Sequence, residues 1–117
     1  MDPHRVNIIN TLQLISSVEA QRAYQQQVPW VNVAHEVVNQ WFCDFYHPGS
    51  QEFEGEFSCE ELASLAEFSR FYDQRADLLP GSLPQLLECA AWQEIVAYAD
   101  AVLRTNGWKS IVAAYGS

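Results

Sequence analysis

The sequence predicts a single all-α domain over residues 1–117, arranged as an antiparallel bundle of four to five helices. Apolar side chains recur three and four residues apart through most of the chain, which is the spacing of one helix face. Breaks that contain proline or glycine separate these periodic segments. Hydrophobic residues make up 49% of the 117 residues, which is enough for the core of one ordinary domain.

The first helix is predicted over residues 3–26. Asp2 is a favourable N-cap and Pro3 suits the first helical position. The helix should end before Pro29, since the residue before a proline is disfavoured in the helical region. Its apolar stripe is formed by Ile8, Leu12, Ile15 and Val18.

The second helix is predicted over Trp30 to Tyr46, with Asn32 as its N-cap. Its dense aromatic face makes it the expected central helix of the core. The sequence His47-Pro48-Gly49-Ser50 is a strong stop signal.

An acidic loop is predicted over residues 48–57, between the second and third helices. The alternation of acidic and aromatic residues from Glu52 to Phe57 leaves a short strand open as an alternative. Ser58 and Glu61 have the spacing of a capping box, so a third helix is expected over 59–78, ending before Pro80-Gly81.

The last helical region is predicted as a short helix over 83–89 and a longer one over 90–105. No helix breaker separates them, so a single kinked helix stays open. Gly107 is a natural C-terminal residue for the longer helix. The tail over 108–117 has helical apolar spacing and is expected to form one or two turns packed on the body.

Tryptophans and cysteines lead to two further expectations. All four tryptophans, Trp30, Trp41, Trp92 and Trp108, are expected to be core residues rather than binding residues, and Trp108, after Gly107, is expected to be the one that is partly exposed. The three cysteines are an odd number and lack CxxC spacing, so we expect reduced, mostly buried thiols. They are Cys43, Cys59 and Cys89.

The net charge excludes several classes of partner. Fifteen acidic residues against six basic ones give a formal net charge of -9. That sign disfavours direct binding of nucleic acid or of an anionic membrane surface. The sequence has no apolar run long enough to span a membrane, and its N-terminus does not resemble a signal peptide. We therefore expect a cytoplasmic protein.

The negative charge is concentrated in the middle of the chain, where ten acidic residues between 31 and 79 are opposed only by Arg70 and Arg75. One interpretation is a solvated acidic loop, with acids placed favourably at a helix N-terminus. The other is a binding face for a basic partner, with interleaved aromatic residues as exposed anchors. The residues predicted for this face are Asp44, Tyr46, His47, Glu52, Phe53, Glu54, Glu56, Glu60, Tyr72 and Asp73.

Catalytic and metal-binding motifs are missing from the sequence. His35-Glu36 begins a zinc-protease pattern, but Asn39 stands where the second histidine is needed. Cys43, Asp44 and His47 lie within a single turn, without ligands from a second segment. We find no nucleophile elbow and no glycine-rich phosphate loop. The chain is therefore predicted to be a non-enzyme without cofactor or metal.

The overall pattern resembles small acidic helical immunity proteins of bacterial contact-dependent inhibition and other polymorphic toxin systems. The resemblance lies in the run from Trp41 to Pro48, then Phe53 and Phe57, then Ser58-x-x-Glu61-Leu62-x-x-Leu65-x-x-Phe68-x-x-Phe71, and later Leu86-Leu87 and Trp92-x-x-Ile95. It implies a cytoplasmic protein that binds and blocks one cognate toxin domain. Many such toxins are nucleases, whose basic clefts attract an acidic inhibitor.

Three other functions stay open at this point. A non-catalytic adapter or regulatory subunit would rely on the aromatic residues more than on the acids. A DNA mimic would use the spacing of Glu52, Glu54 and Glu56. A small metal-dependent or acid-base enzyme needs a pocket with a perturbed carboxylate or histidine. The sequence does not fix the oligomeric state.

Overall fold

A computed structural model describes residues 2–109, and these residues form helices joined by short connections. The predicted all-α class is confirmed. The described part has seven α-helices, more than the four to five predicted, and one π-helical segment. They are α1 (Pro3–Ile15), α2 (Val18–Gln27), α3 (Val33–Asn39), the π segment (Gln40–Phe45), α4 (Gln51–Glu54), α5 (Cys59–Ala76), α6 (Leu83–Glu88) and α7 (Ala90–Thr105).

The predicted first helix is two helices, because the chain breaks at Ser16 and Ser17. Ser17 adopts an extended conformation, and its hydroxyl accepts a hydrogen bond from the Ala20 N–H. This side chain therefore caps α2, a role for which serine is well suited. The break lets α2 leave the direction of α1, which packs along α7 and the π segment.

The second predicted helix begins later than expected and changes its winding before it ends. Asn32 is the N-cap as predicted, since its side chain accepts from the His35 N–H. Trp30 therefore lies outside the helix. From Gln40 the α3 helix continues with π-helical hydrogen bonding, which adds a residue to the turn and often occurs at functional sites.

The predicted acidic loop contains the single-turn helix α4, so the strand alternative is wrong. The Ser50 hydroxyl caps α4 by accepting from the Phe53 N–H. Helix α5 follows with the predicted capping box: the Ser58 hydroxyl accepts from the Glu61 N–H, and Glu61 accepts from the Ser58 N–H. The box is confirmed because its residues are adjacent in sequence and need no tertiary contact.

Helices α6 and α7 are separate, which settles the question of one kinked helix. Cys89 lies between them in an extended conformation. In one continuous helix, Leu86 and Trp92 would point in directions about 120° apart. The break allows both side chains to be completely buried. The predicted tail beyond Lys109 lies outside the described residues.

Aromatic residues from several helices meet in the core around Trp41. The Trp41 ring contacts Phe68 edge-on, with ring centroids 4.9 Å apart, and its indole N–H donates to the Ser69 hydroxyl at 3.2 Å. Tyr72 lies one turn further along α5, and its hydroxyl donates to the Val37 carbonyl at 3.1 Å. These contacts fix the π segment and α3 against α5.

A buried glutamine links three helices at the other end of the core. The Gln21 side-chain amide donates to the Leu14 and Ile15 carbonyls at the end of α1. Its oxygen accepts from the Trp92 indole N–H of α7 at 3.2 Å. Gln21 is fully buried, so these three bonds satisfy groups that water does not reach.

Two tryptophan expectations are wrong. Trp30 is 80% exposed, because it lies in the connection between α2 and α3. Trp108 is only 2% exposed, because the chain reverses at Gly107 and the Trp108 N–H bonds to the Leu103 carbonyl. The reversal needs the positive φ of Gly107, 74°, which glycine adopts at low cost. Trp41 and Trp92 are buried as predicted.

The cysteines are free thiols, as predicted, but they are not mostly buried. Cys43 and Cys59 are exposed and Cys89 is half-buried. Cys43 lies on the outer side of the π segment, and Cys59 is the first residue of α5. Within residues 2–109, the helices are too short or too polar for any of them to cross a membrane.

Candidate protein-binding surface

A surface groove lies between α5 and the region where the π segment ends. Its volume is about 390 Å³. We call it the Tyr46 groove, and it is lined by Phe42, Tyr46, Pro48, Ala66, Ser69, Arg70 and Asp73. Two of the residues predicted for the binding face, Tyr46 and Asp73, therefore meet here although they are far apart in sequence.

The packing beneath the groove holds Tyr46 in place. Its ring stacks on Trp41 with centroids 4.8 Å apart and contacts the Phe53 ring edge-on at 5.6 Å. The Tyr46 N–H also closes the π segment by bonding to the Trp41 carbonyl. A partner that binds this half-buried ring meets a side chain that is already ordered, which lowers the entropic cost of binding.

The charges around the groove act on the Tyr46 hydroxyl. Partial burial raises the pKa of Tyr46, the nearby Glu54 carboxylate raises it further, and the Arg70 guanidinium lowers it. The hydroxyl is therefore protonated near neutral pH, and it can both donate and accept a hydrogen bond. Glu54 is itself oriented by the Gly49 N–H, which donates to its carboxylate at 3.0 Å.

Four carboxylates near this groove are exposed, and none forms an ion pair with another described residue. We call them the acidic face: Asp44, Glu52, Glu54 and Asp73. Asp44 is in the π segment, Glu52 and Glu54 are on α4, and Asp73 lines the groove. Arg70 is exposed in the same groove and likewise lacks an ion pair with the described residues. The groove itself thus holds one negative and one positive charge, Asp73 and Arg70, and the other three carboxylates lie on the π segment and α4, on either side of Tyr46 in the chain.

Glu56 and Glu60, both predicted for the binding face, lie elsewhere. Glu56 accepts from the Arg5 backbone N–H at 3.0 Å and lies 3.9 Å from the His4 ring nitrogen. Glu60 lines a different groove, of about 370 Å³, between α5 and α7. Glu56 and Glu60 therefore do not belong to the acidic face, although they are close to Glu52 and Glu54 in sequence.

The exposure expected for two predicted aromatic anchors is wrong. Phe53 and Tyr72 are both completely buried. Helix α4 turns Phe53 inward, where it contacts Phe57 with ring centroids 4.9 Å apart. Tyr72 lies on the inner face of α5, and burial raises the pKa of its hydroxyl. Both residues support the acidic face from beneath, and neither offers it a contact surface.

His47, the remaining predicted residue, is half-buried and lies next to the acidic face. Its ring nitrogen Nε2 lies 2.7 Å from the Asp44 carbonyl, and its ring contacts Phe53 edge-on. Both contacts shape the turn that follows Tyr46.

Arg5 is an important residue that the sequence analysis did not identify. Its guanidinium forms two hydrogen bonds with the Glu61 carboxylate, each 2.8 Å long, and a third with the Glu56 carbonyl. It therefore neutralises part of the acidic segment from a position more than fifty residues away in sequence. No local pattern indicates such a pair.

The Arg5–Glu61 pair predicts a pH-dependent contribution to stability. The Arg5 hydrogen bonds hold the pKa of Glu61 below its usual value, against the opposing effect of burial, with help from the Ser58 N–H. A lowered folded-state pKa stabilises the fold above the unfolded-state pKa of about 4.3, and this stabilisation is lost as the pH falls through the folded-state pKa.

Glu61→Gln is therefore expected to lower the free energy of unfolding by about 1–2 kcal/mol at pH 7. The difference from wild type should shrink as the pH falls below about 4. Urea unfolding at several pH values measures this stability difference. Glu60→Gln is the control, since Glu60 is exposed and forms no ion pair with the described residues. An equal loss at every pH would contradict an ionic role for Glu61.

Side chains that commonly bind metal ions occur throughout the described part of the chain. The described residues contain no group of three or more His, Cys, Asp or Glu side chains arranged to hold a metal ion. Cys43, Asp44 and His47 do not form such a group.

Comparisons of the chain with models of protein families, with curated proteins and with solved structures find no match.

Proposed function

We propose that this chain is a non-catalytic inhibitor that binds a basic protein domain through the acidic face. In its most specific form, it is a cytoplasmic immunity protein that covers the active surface of a cognate, nuclease-type toxin domain. One observation carries the proposal: an ordered, half-buried tyrosine lies in a groove with Asp73 and close to Glu54, and these exposed carboxylates, like those of Asp44 and Glu52 on the adjoining segments, form no ion pair with a described residue.

The charge of the acidic face suits fast association with a basic partner. Unpaired surface carboxylates raise the encounter rate with a positive surface, and salt weakens this effect. Like charges held together without internal partners repel one another, so the cluster costs some stability in the free protein. A cationic partner removes that cost.

The Tyr46 groove adds specificity to the charge. An incoming Lys or Arg side chain can lie against the Tyr46 ring with Asp73 as its counter-ion. Arg70 repels a second cation at this point and accepts a carboxylate instead. The partner must therefore place basic side chains opposite the four carboxylates of the acidic face and a carboxylate opposite Arg70.

An adapter or regulatory subunit is the second candidate, and a separate observation favours it. Trp30 and Leu78, at 80% and 66% exposure, are large apolar side chains on the surface, and neither belongs to the acidic face. A partner bound there would depend on apolar contacts and little on salt. A DNA mimic has less support, because Glu56 is engaged by Arg5 and Glu60 lies on another side of α5.

The proposal is tested by co-expressing the chain with the protein encoded directly upstream of its gene. We expect the two to co-purify, the upstream protein to be toxic when expressed alone, and the complex to weaken at about 0.5 M salt, where the Debye length is only about 4 Å. A complex that ignores salt would favour the adapter. The absence of both toxicity and co-purification would reject the immunity function.

A further inference from the structure

Another groove lies between α2 and α6, apart from the acidic face. Its volume is about 880 Å³. We call it the Trp30 groove. The residues that matter here are Arg22, Gln26, Pro29, Pro84, Leu87 and Glu88.

Two exposed apolar side chains lie in the connections next to this groove. Three large hydrophobic residues in the described part are strongly exposed, and two of them, Trp30 and Leu78, lie in the connections that flank the groove. The Asn32 side-chain amide joins these connections by donating to the Gly81 carbonyl at 2.8 Å. An exposed tryptophan beside an apolar cleft is the usual composition of an interface anchor and its pocket.

Hydrogen bonds order the connection between α2 and α3 on one side of the groove. The Gln25 amide nitrogen donates to the Val28 and Val31 carbonyls, and its oxygen accepts from the Val33 N–H. These three bonds hold the turn that carries Trp30. The tryptophan is therefore presented on an ordered turn, although nothing in the described chain covers it.

The charges of the groove distinguish it from the rest of the protein. Arg22 on α2 and Glu88 on α6 are both exposed, and neither forms an ion pair with a described residue. The groove therefore carries one charge of each sign, whereas the acidic face repels any chain of the same negative charge.

From these observations we infer that the Trp30 groove is the interface of a homodimer, in which Trp30 of each copy enters the groove of the other. A two-fold axis along the groove places α2 of one copy over α6 of its partner. Each Arg22 then faces Glu88 of the partner subunit, and both charges become paired. In a two-fold dimer both copies use the same surface, so each must carry both the inserted side chain and the groove that receives it. Trp30 and the groove beside it meet this requirement. The arrangement also leaves the acidic face free, so it does not depend on the proposed function.

Sedimentation equilibrium from about 1 µM to about 1 mM tests the proposal first. We expect reversible dimerisation of the wild type, and a dissociation constant at least about thirtyfold higher for Trp30→Ala. Val6→Ala is the matched control, because Val6 is also exposed and lies outside the groove; it should change the constant by no more than about twofold. A wild type that is monomeric throughout this range overturns the proposal.

A charge exchange tests the orientation of the two copies. Arg22→Glu alone and Glu88→Arg alone should each weaken the homodimer, because each places like charges opposite one another. A mixture of the two variants should restore association as a heterodimer, since both of its charge pairs are then opposite in sign. Failure of the mixture to associate more tightly than either variant alone overturns the proposed arrangement.

Fluorescence quenching gives an independent readout. Trp41, Trp92 and Trp108 are buried, so iodide should quench Trp30 selectively. Quenching that decreases with protein concentration in the wild type indicates that Trp30 is covered by a second copy. Quenching that stays constant while the protein dimerises would place the interface elsewhere and reject the proposal.

Discussion

Replacing Glu52, Glu54 and Asp73 together by lysine is expected to weaken binding of the cognate basic partner by about a hundredfold. Each reversal removes an attraction and adds a repulsion, together about 1 kcal/mol for an exposed charge, and 1.4 kcal/mol corresponds to a factor of ten. The three side chains are exposed and form no ion pair with other described residues, so the hydrogen bond that Glu54 accepts from the Gly49 N–H is the main contact the free protein loses. Most of the change should appear in the association rate and should diminish at high salt.

The matched control replaces Glu19, Glu60 and Glu67 by lysine. This variant has the same net charge as the test variant, and its three residues are also exposed but lie away from the Tyr46 groove. It should retain affinity within about tenfold, because long-range attraction is reduced while direct contacts remain. Surface plasmon resonance with the partner immobilised measures the affinity and the association rate of the test variant and of the control variant. Equal losses in the two variants would show that net charge alone governs binding.

Replacing Gln21 by alanine is expected to lower the free energy of unfolding by about 3 kcal/mol. The change removes three hydrogen bonds and leaves the Trp92 indole N–H and the Ile15 carbonyl without these partners in the core, whereas the Leu14 carbonyl still accepts from the Ser17 N–H. A buried polar group without a partner costs about 1–3 kcal/mol, although water entering the new cavity can recover part of it. Such a loss is a large share of the stability of a small domain.

Chemical denaturation measures this change, with Gln26→Ala as the control. Gln26 lies on the same helix and is exposed, so its replacement should alter stability by less than about 0.5 kcal/mol. Trp92→Phe should lower the free energy of unfolding less in the Gln21→Ala background than in the wild type. In that background the indole N–H has already lost its acceptor, so its removal breaks no hydrogen bond. A loss below about 1 kcal/mol for Gln21→Ala would contradict the role of Gln21 as the link between α1, α2 and α7.

Features that depend on neighbouring residues were predictable from the sequence. The Asn32 cap and the capping box of Ser58 and Glu61 are confirmed, because each needs only residues three positions apart. The break at Ser17 was missed, although serine is a good cap, because the apolar stripe continues across it.

Features that depend on tertiary contacts were not predictable in this way. The exposure of Trp30 and the burial of Trp108 are decided by where the connections run, and the hydrophobicity of the side chain does not reveal this. The pairing of Arg5 with Glu61 joins the start of α5 to α1, more than fifty residues away in sequence. The Tyr46 groove requires the π segment, for which the sequence shows no signal, so only part of the predicted binding face was recovered.

Hydroxyl-radical footprinting of the chain with its co-purifying partner tests the central claim most directly. The method compares the oxidation rate of each aromatic side chain with and without the partner. The acidic-face proposal predicts that the partner protects Tyr46 and leaves the rate at Trp30 unchanged. Protection of Trp30 with no change at Tyr46 would contradict it and move the partner to the Trp30 groove.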